Sequence, residues 1–227
     1  MATGGLIPMS TEPPLSRTML TLAQWFSPAF PIGAFSFSHG LEWLVETGEV
    51  ADGSGFRRWI DTILRHGAGR TDLILMASAW RAKTAAELQD IDAEARALAP
   101  SAERLVETVE QGASFVRTVN MVWATDLPPL CYPVAIGAAA RACDLPLEPM
   151  ARMYLHALVS NLTSAAIRLV PLGQTEGQAI ILELAPVCEG LCASELDQPL
   201  DSIGSCAFLA DIASMNHEVQ YSRMFRS

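Results

Sequence analysis

The placement of proline constrains this chain more than any other feature. Prolines at 100, 128, 129, 146, 149, 171, 186 and 199 are expected to fall between apolar segments of helical period, not inside them. Proline lacks an amide donor and its ring clashes with the preceding turn, so residues in this pattern punctuate helices. The bounded segments, 34–46, 54–66, 71–98 with an interruption, 101–123, 131–143 and 147–169, repeat apolar residues three and four apart. Ser54, Thr71 and Ser101 each precede or open such a run and are expected to cap a first turn. Strand signals are short everywhere, and Asp52-Gly53 separates two helical segments instead of turning a hairpin. The expectation is an all-α, single-domain bundle of eight to ten helices spanning 18–227, with order beginning near Thr18. Residues 1–17, with Gly4, Gly5, Pro8, Pro13 and Pro14, read as a flexible N-terminal arm.

Composition then removes whole classes of function. The chain has 227 residues, half of them hydrophobic and only 18% charged, which excludes disorder throughout. A net charge of −10, from 15 Lys and Arg against 25 Asp and Glu, argues against nucleic acid and anionic membrane surfaces as partners. No apolar run approaches the length of a membrane span. Five scattered cysteines, an odd number, do not make a secreted disulfide framework, and a reducing compartment follows. Catalytic signatures are missing as well. The only lysine, Lys83, has no phosphate-cradling glycine loop before it, and His217-Glu218 is not followed by a second histidine at zinc-protease spacing. Cys188 and Cys192 stand four apart, but a zinc site needs further soft ligands.

Three segments carry the rest. In the first, 27–42, proline-fixed turns feed aromatics, small hydroxyls and one histidine; Phe30 and Phe35 are expected in the core. His39 and Glu42, three apart on one helix face, are placed to bind a metal, to pair with each other or to stand in solvent, and without another ligand in view solvation or pairing is expected; His39 and His217 are the weak candidates for a metal ligand. In the second, 147–178, a wide apolar stripe from Tyr154 to Leu169 faces a polar row of Arg152, His156, Ser160, Ser164 and Arg168. A four-residue step overshoots one turn, so Arg152 and Arg168 lie about 24 Å apart along the axis and point in nearly opposite directions. In the third, 215–227, Tyr221, Met224 and Phe225 stand among Arg223 and Arg226, the composition of an interface anchor. Composition leaves open whether this end docks on its own body or on a partner.

Together these segments resemble the UreF family of urease accessory proteins. The resemblance rests on Ser-Pro-Ala-Phe-Pro-Ile-Gly-Ala-Phe-Ser-x-Ser-x-Gly-Leu-Glu at 27–42, Ser-Asn-Leu with Arg-Leu-Val-Pro-Leu-Gly-Gln-Thr-x-Gly-Gln at 160–178, and Met-x-His-Glu-x-Gln-Tyr-Ser-Arg-x-Phe-Arg-Ser at 215–227. It runs from Leu20 to the last residue, while the acidic stretch 82–110 carries no family motif. The resemblance implies an all-α, non-enzymatic scaffold for nickel insertion into urease, acting in the cytoplasm as a homodimer in the complex. The implied partners are UreD (called UreH in some systems), the nickel-carrying GTPase UreG and the urease apoprotein. It implies no tightly bound cofactor, with nickel in transit; a nickel-binding metallochaperone and a GTPase-activating protein for UreG are the alternatives. By position, Arg168 falls on the UreG face, Arg152 and His156 on the dimer face, and Tyr221, Arg223, Met224 and Phe225 in the UreD-binding tail. Pro31, Gly33, Ser36, Gly40, Glu42, Gln174, His217 and Glu218 match the family motif. Phe35 and Phe37 lack the hydroxyl some relatives carry, so hydrogen bonds from this motif to the tail fall to Ser36, Ser38 or the backbone.

Overall fold

Small residues decide which helices occupy the centre. The computed structural model describes residues 15–204 and 207–227, among which there are ten α-helices and no strand. In chain order they are α1 (Leu15–Trp25), α2 (Leu41–Glu46), α3 (Gly53–His66), α4 (Ala68–Arg81), α5 (Ala85–Ala97), α6 (Ala102–Trp123), α7 (Tyr132–Ala142), α8 (Leu147–Leu169), α9 (Gln174–Glu195) and α10 (Phe208–His217). Every residue of α7 from Pro133 to Ala140 is buried. It presses against α4 at Gly137, where an added Cβ would lie 2.3 Å from the Met76 carbonyl oxygen, so alanine is excluded from the closest approach. The other helices pack around this pair, and α2 and α10 lie against each other at one end. An aromatic cluster joins α1, α6 and α7: Trp25 meets Phe115 edge-on at 5.2 Å, and Phe115 meets Tyr132 at 5.8 Å.

The helix count and several boundaries follow the sequence pattern, including 147–169 and the Ser101 cap, whose hydroxyl accepts from the Arg104 amide at 3.1 Å. Others are corrected. Residues 34–46 do not make one helix: a single 3-10 turn, Ala34–Ser36, gives way to extended Phe37, and α2 starts only after His39 (φ 56°) and Gly40 (φ 77°) take left-handed conformations. Asp52, not Ser54, caps α3, through the Gly55 amide at 2.7 Å, and Thr71 lies inside α4. Thr84 caps α5 after a break at 82–84 that holds the exposed Lys83. Of the expected arm, 15–17 belong to α1, and 1–14 lie outside the described residues.

Two prolines depart from the expected pattern. Pro149 sits in the first turn of α8, where amides have no intrahelical acceptor. Pro186 sits well inside α9, and the helix continues through it because Ile180, Leu184, Cys188 and Leu191 are buried on either side. Neither 174–195 nor 208–217 is among the periodic segments recognised above, since α9 exposes Leu182 and α10 exposes Phe208, Leu209, Ile212 and Met215, blurring the apolar stripe. Phe30 is buried as expected, but Phe35 is exposed and Phe37 is buried in its stead.

Candidate functional site

Helical spacing lays a row of carboxylates along one end of the bundle. Glu42 and Glu46 are one turn apart on α2; Glu103, Glu107 and Glu110 share a face of α6 by the same rule. The C-terminal segment, 218–227, lies over this row. Both Glu42 oxygens are used, accepting from the amides of Met224 at 2.6 Å and Phe225 at 2.9 Å. Glu103 receives Arg223 at 2.6 Å, Glu110 receives Arg226 at 2.7 Å, and Glu107 accepts from the Ser227 hydroxyl at 2.9 Å. Gln220 donates to Glu46, and Glu218 accepts from the Ala102 amide at 2.8 Å, where the α6 N-terminus favours negative charge. His217, fully buried at the end of α10, places Nδ1 2.7 Å from Glu103 and Nε2 3.2 Å from Glu42.

The turn before α2 completes the groove. The Ser38 amide donates to the Ser227 carbonyl at 2.7 Å, the Ser38 hydroxyl donates to the same oxygen, and the Arg226 amide donates to the Ser36 carbonyl at 2.8 Å. Ser38 and the backbone of Ser36 therefore supply the bonds that the two phenylalanine rings lack. Arg168, at the end of α8, donates to the Phe35 carbonyl at 3.0 Å and stacks over the Phe225 ring at 4.3 Å.

Several residues singled out in the sequence meet here: Ser36, Gly40, Glu42, Arg168, His217, Glu218, Arg223 and Phe225. Phe225 is 4% exposed and faces its own chain, which removes it from the outward surface, while Tyr221 and Met224 remain in solvent. Pro31 is exposed and Gly33 half-buried, where a left-handed φ of 74° suits glycine; Gln174 is exposed at the start of α9. Arg152 and His156 lie on the exposed row of α8, apart from this groove, with Arg152 paired to Glu148 at 2.6 Å. His39 Nε2 lies 3.1 Å from Glu107 and does not pair with Glu42, because its left-handed backbone precedes α2. Among the described residues no three His, Cys, Asp or Glu side chains are grouped to hold a metal ion. Burial pushes the Cys188 and Cys192 thiols up to about 11 and about 12. Sequence reasoning missed Glu103, Arg104, Glu107 and Glu110; their three- and four-residue spacing within 101–123 was the available signal.

Beneath the groove the charges are tightly matched. Burial works against ionisation of Glu107, yet Arg104 and His39 outweigh it and hold the carboxyl down to about 2. That contribution to stability is present above the ordinary carboxylate range and is lost as pH falls toward 2. Burial, then Arg104, lowers the His39 value. A cavity of about 510 Å³ under α10, walled by Ile63, Leu75, Phe208 and Ile212, reaches His39, Arg104 and Asp72. Burial raises Asp72 to about 6 against the opposing hydrogen bond from the Tyr154 hydroxyl. Between 3.8 and about 6 the folded chain holds a proton that the unfolded chain has released, so stability falls as pH rises through that window. Asp72→Asn, whose carbonyl still accepts from Tyr154, is expected to raise stability at neutral pH by about 1–3 kcal/mol. Denaturant titrations across that window check both the gain and a flatter pH slope.

The comparisons with known proteins follow the same span. The model of the family described as UreF matches residues 50–185. "Urease accessory protein UreF" of Ruegeria pomeroyi is 51% identical over 214 residues, covering 94% of this chain and 99% of that protein. The protein of the same name from Cereibacter sphaeroides is 52% identical over 213 residues, covering 94% of this chain and all of its own length. That of Rhodopseudomonas palustris is 44% identical over 237 aligned positions. A groove assembled from the motif residues, a family match across most of the chain and identities near one half lead to one conclusion: this chain belongs to the UreF family.

Proposed function

We propose that the chain serves urease maturation as a non-enzymatic scaffold, in the cytoplasm, that joins UreD (UreH) and UreG to the urease apoprotein. UreD docks on the surface formed by α10 and the C-terminal segment; UreG docks on the face that carries Arg168. The observation that carries this reading is the outward apolar surface of α10 and the segment beyond it. Phe208, Leu209 and Val219 are 70–81% exposed, and Tyr221 is fully exposed. Isolated exposed apolar residues are ordinary, but so many on one helix and its extension mark a protein-binding surface. A second copy of the chain packs on the Arg152 and His156 row of α8, away from the groove. Nickel enters as cargo passed between partners, with no cofactor held tightly by this chain.

Arg168 is better suited to an interface than to a GTPase active site. Its guanidinium is already committed to the Phe35 carbonyl and the Phe225 ring, whereas an arginine finger must reach into a partner's phosphates. A pull-down of purified UreD and UreG on the full chain tests the scheme. Tyr221→Ala combined with Met224→Ala is expected to weaken UreD capture by about tenfold or more with the unfolding midpoint unchanged. Arg168→Ala is expected to weaken UreG recruitment while UreD capture persists. Unchanged UreG recruitment with lost GTPase stimulation would overturn the scaffold role of Arg168 in favour of the finger.

A further inference from the structure

We propose that the interior between α4, α6, α7 and α8 holds a binding site for a primary alkylammonium group, with Asp72 as its counter-ion. Two cavities meet there: one of about 70 Å³ and the wider one of about 510 Å³ share His39, Asp72, Arg104, Thr108 and Pro133 as walls. Asp72 keeps part of its surface open, although Leu73 to Ala77 beside it on α4 are buried. One of its oxygens accepts from the Tyr154 hydroxyl, and the other has no partner among the described residues. No described cation lies within salt-bridge distance of it, and Arg104, on the same walls, is committed to Glu107. Two further acceptors line the small cavity. Gln111 donates its amide to Glu107 at 2.9 Å and Asn161 donates to the Ala34 carbonyl at 3.0 Å, which leaves both amide oxygens without a donor. Unmatched acceptors in a closed space call for a ligand that donates. An ammonium head supplies three N–H groups and no acceptor, whereas a water would leave the carboxylate's charge unmatched. Tyr132 and Tyr154, with ring centroids 5.9 Å apart, line the same cavity, and aromatic faces attract cations.

The charge balance asks for a cation as well. The titratable groups around Asp72 are Arg104 and Glu107 from α6, Tyr132 from α7, Tyr154 from α8, His39 from the turn before α2 and Asp211 from α10. Burial raises both tyrosines and keeps them neutral, burial and then Arg104 lower His39 toward its neutral form, and Glu107 is ionised. With Asp72 and Asp211 charged, three carboxylates face one guanidinium. The wider cavity accommodates the stem. Ile63, Leu75, Leu98, Phe208 and Ile212 give it apolar walls, and the outer faces of Phe208 and Ile212 meet solvent. A lysine side chain and a free aliphatic amine share this chemistry. Asp72 is also the carboxylate whose replacement by asparagine is expected to stabilise the fold, and a stability cost of this kind is characteristic of binding sites. None of residues 218–227 lines either cavity, so the site depends neither on how that segment is held nor on the partners proposed above.

The test is calorimetric titration of the full-length chain with n-butylamine hydrochloride at constant ionic strength and about pH 8, where the amine is charged and Asp72 ionised. n-Butanol serves as a neutral ligand of the same shape, and Asp72→Asn as the variant. n-Butylamine is expected to bind saturably in the millimolar range and to raise the unfolding midpoint as its concentration rises. n-Butanol on the wild type, and n-butylamine on Asp72→Asn, are expected to bind about tenfold or more weakly. Below about 6, where Asp72 takes up its proton, affinity for the amine is expected to fall about tenfold per pH unit. If the variant fails to fold, the alcohol comparison and the pH slope decide. Equal binding of amine and alcohol, undiminished binding to Asp72→Asn, an affinity that ignores pH, or no saturable amine binding overturns the proposal. Capture of UreD and UreG at saturating n-butylamine then separates the sources: lost capture supports a partner's lysine side chain, and unchanged capture supports a free amine.

Discussion

Replacement of Glu42 by alanine is expected to cost about 3–5 kcal/mol, the range found when one member of a buried charged network is removed and its partners stay behind. Glu42 is 8% exposed and is the shared acceptor for two backbone amides and the His217 ring. Without it the buried His217 ring and Phe225 amide lose their acceptor, and the Met224 amide at the edge of the groove loses its own. Glu42→Gln keeps one carbonyl oxygen as an acceptor but turns an NH₂ group toward a donor, so it is expected to recover only part of the loss. Denaturation midpoints for the three proteins check the order, and exchange of the 219–227 amides shows where the damage lies. Equal protection of those amides in the wild type and Glu42→Ala would refute the hub role.

Gly40→Ala is the second large effect, expected at about 3 kcal/mol or more. The residue has φ of 77°, where a side chain costs roughly 1–2 kcal/mol before any contact is counted. A Cβ there would also lie 2.6 Å from the Ser214 amide nitrogen and 2.9 Å from the Ala213 carbonyl carbon, both backbone atoms of α10. Neither can swing aside as a side chain would, so α10 must back away from α2. Gly48→Ala is the control: φ is 80°, but nothing lies within 4 Å, so only the conformational cost applies. The difference between the two midpoints isolates the α2 and α10 contact, and equal losses would mean the helices are not pressed together at Gly40.

The same residues explain what could be read from sequence and what could not. The all-α class and the long helices were legible because buried helices repeat apolar residues at 3.6 and their ends carry caps and prolines. The break at His39 and Gly40 was not, since the apolar spacing of 34–46 runs on across two left-handed residues whose conformation is set by contact with α10. Pro186 misled for a related reason: packing on both sides of it outweighs a lost amide bond. Within the groove, Glu42, His217 and the tail were recognised, but the α6 glutamates were passed over because solvated acidic faces look the same in a sequence. Only their apposition to residues more than 110 positions away makes them a site.

The bond between the Ser38 and Ser227 main chains closes a loop of 189 residues, and that distance has a kinetic meaning. The acidic trough is complete once α2 and α6 have packed, but its occupant belongs to the far end of the chain, and contacts so remote in sequence form late. Contacts that form late are absent from the rate-limiting state, so the bonds of 218–227 act on how slowly the fold comes apart and not on how fast it assembles.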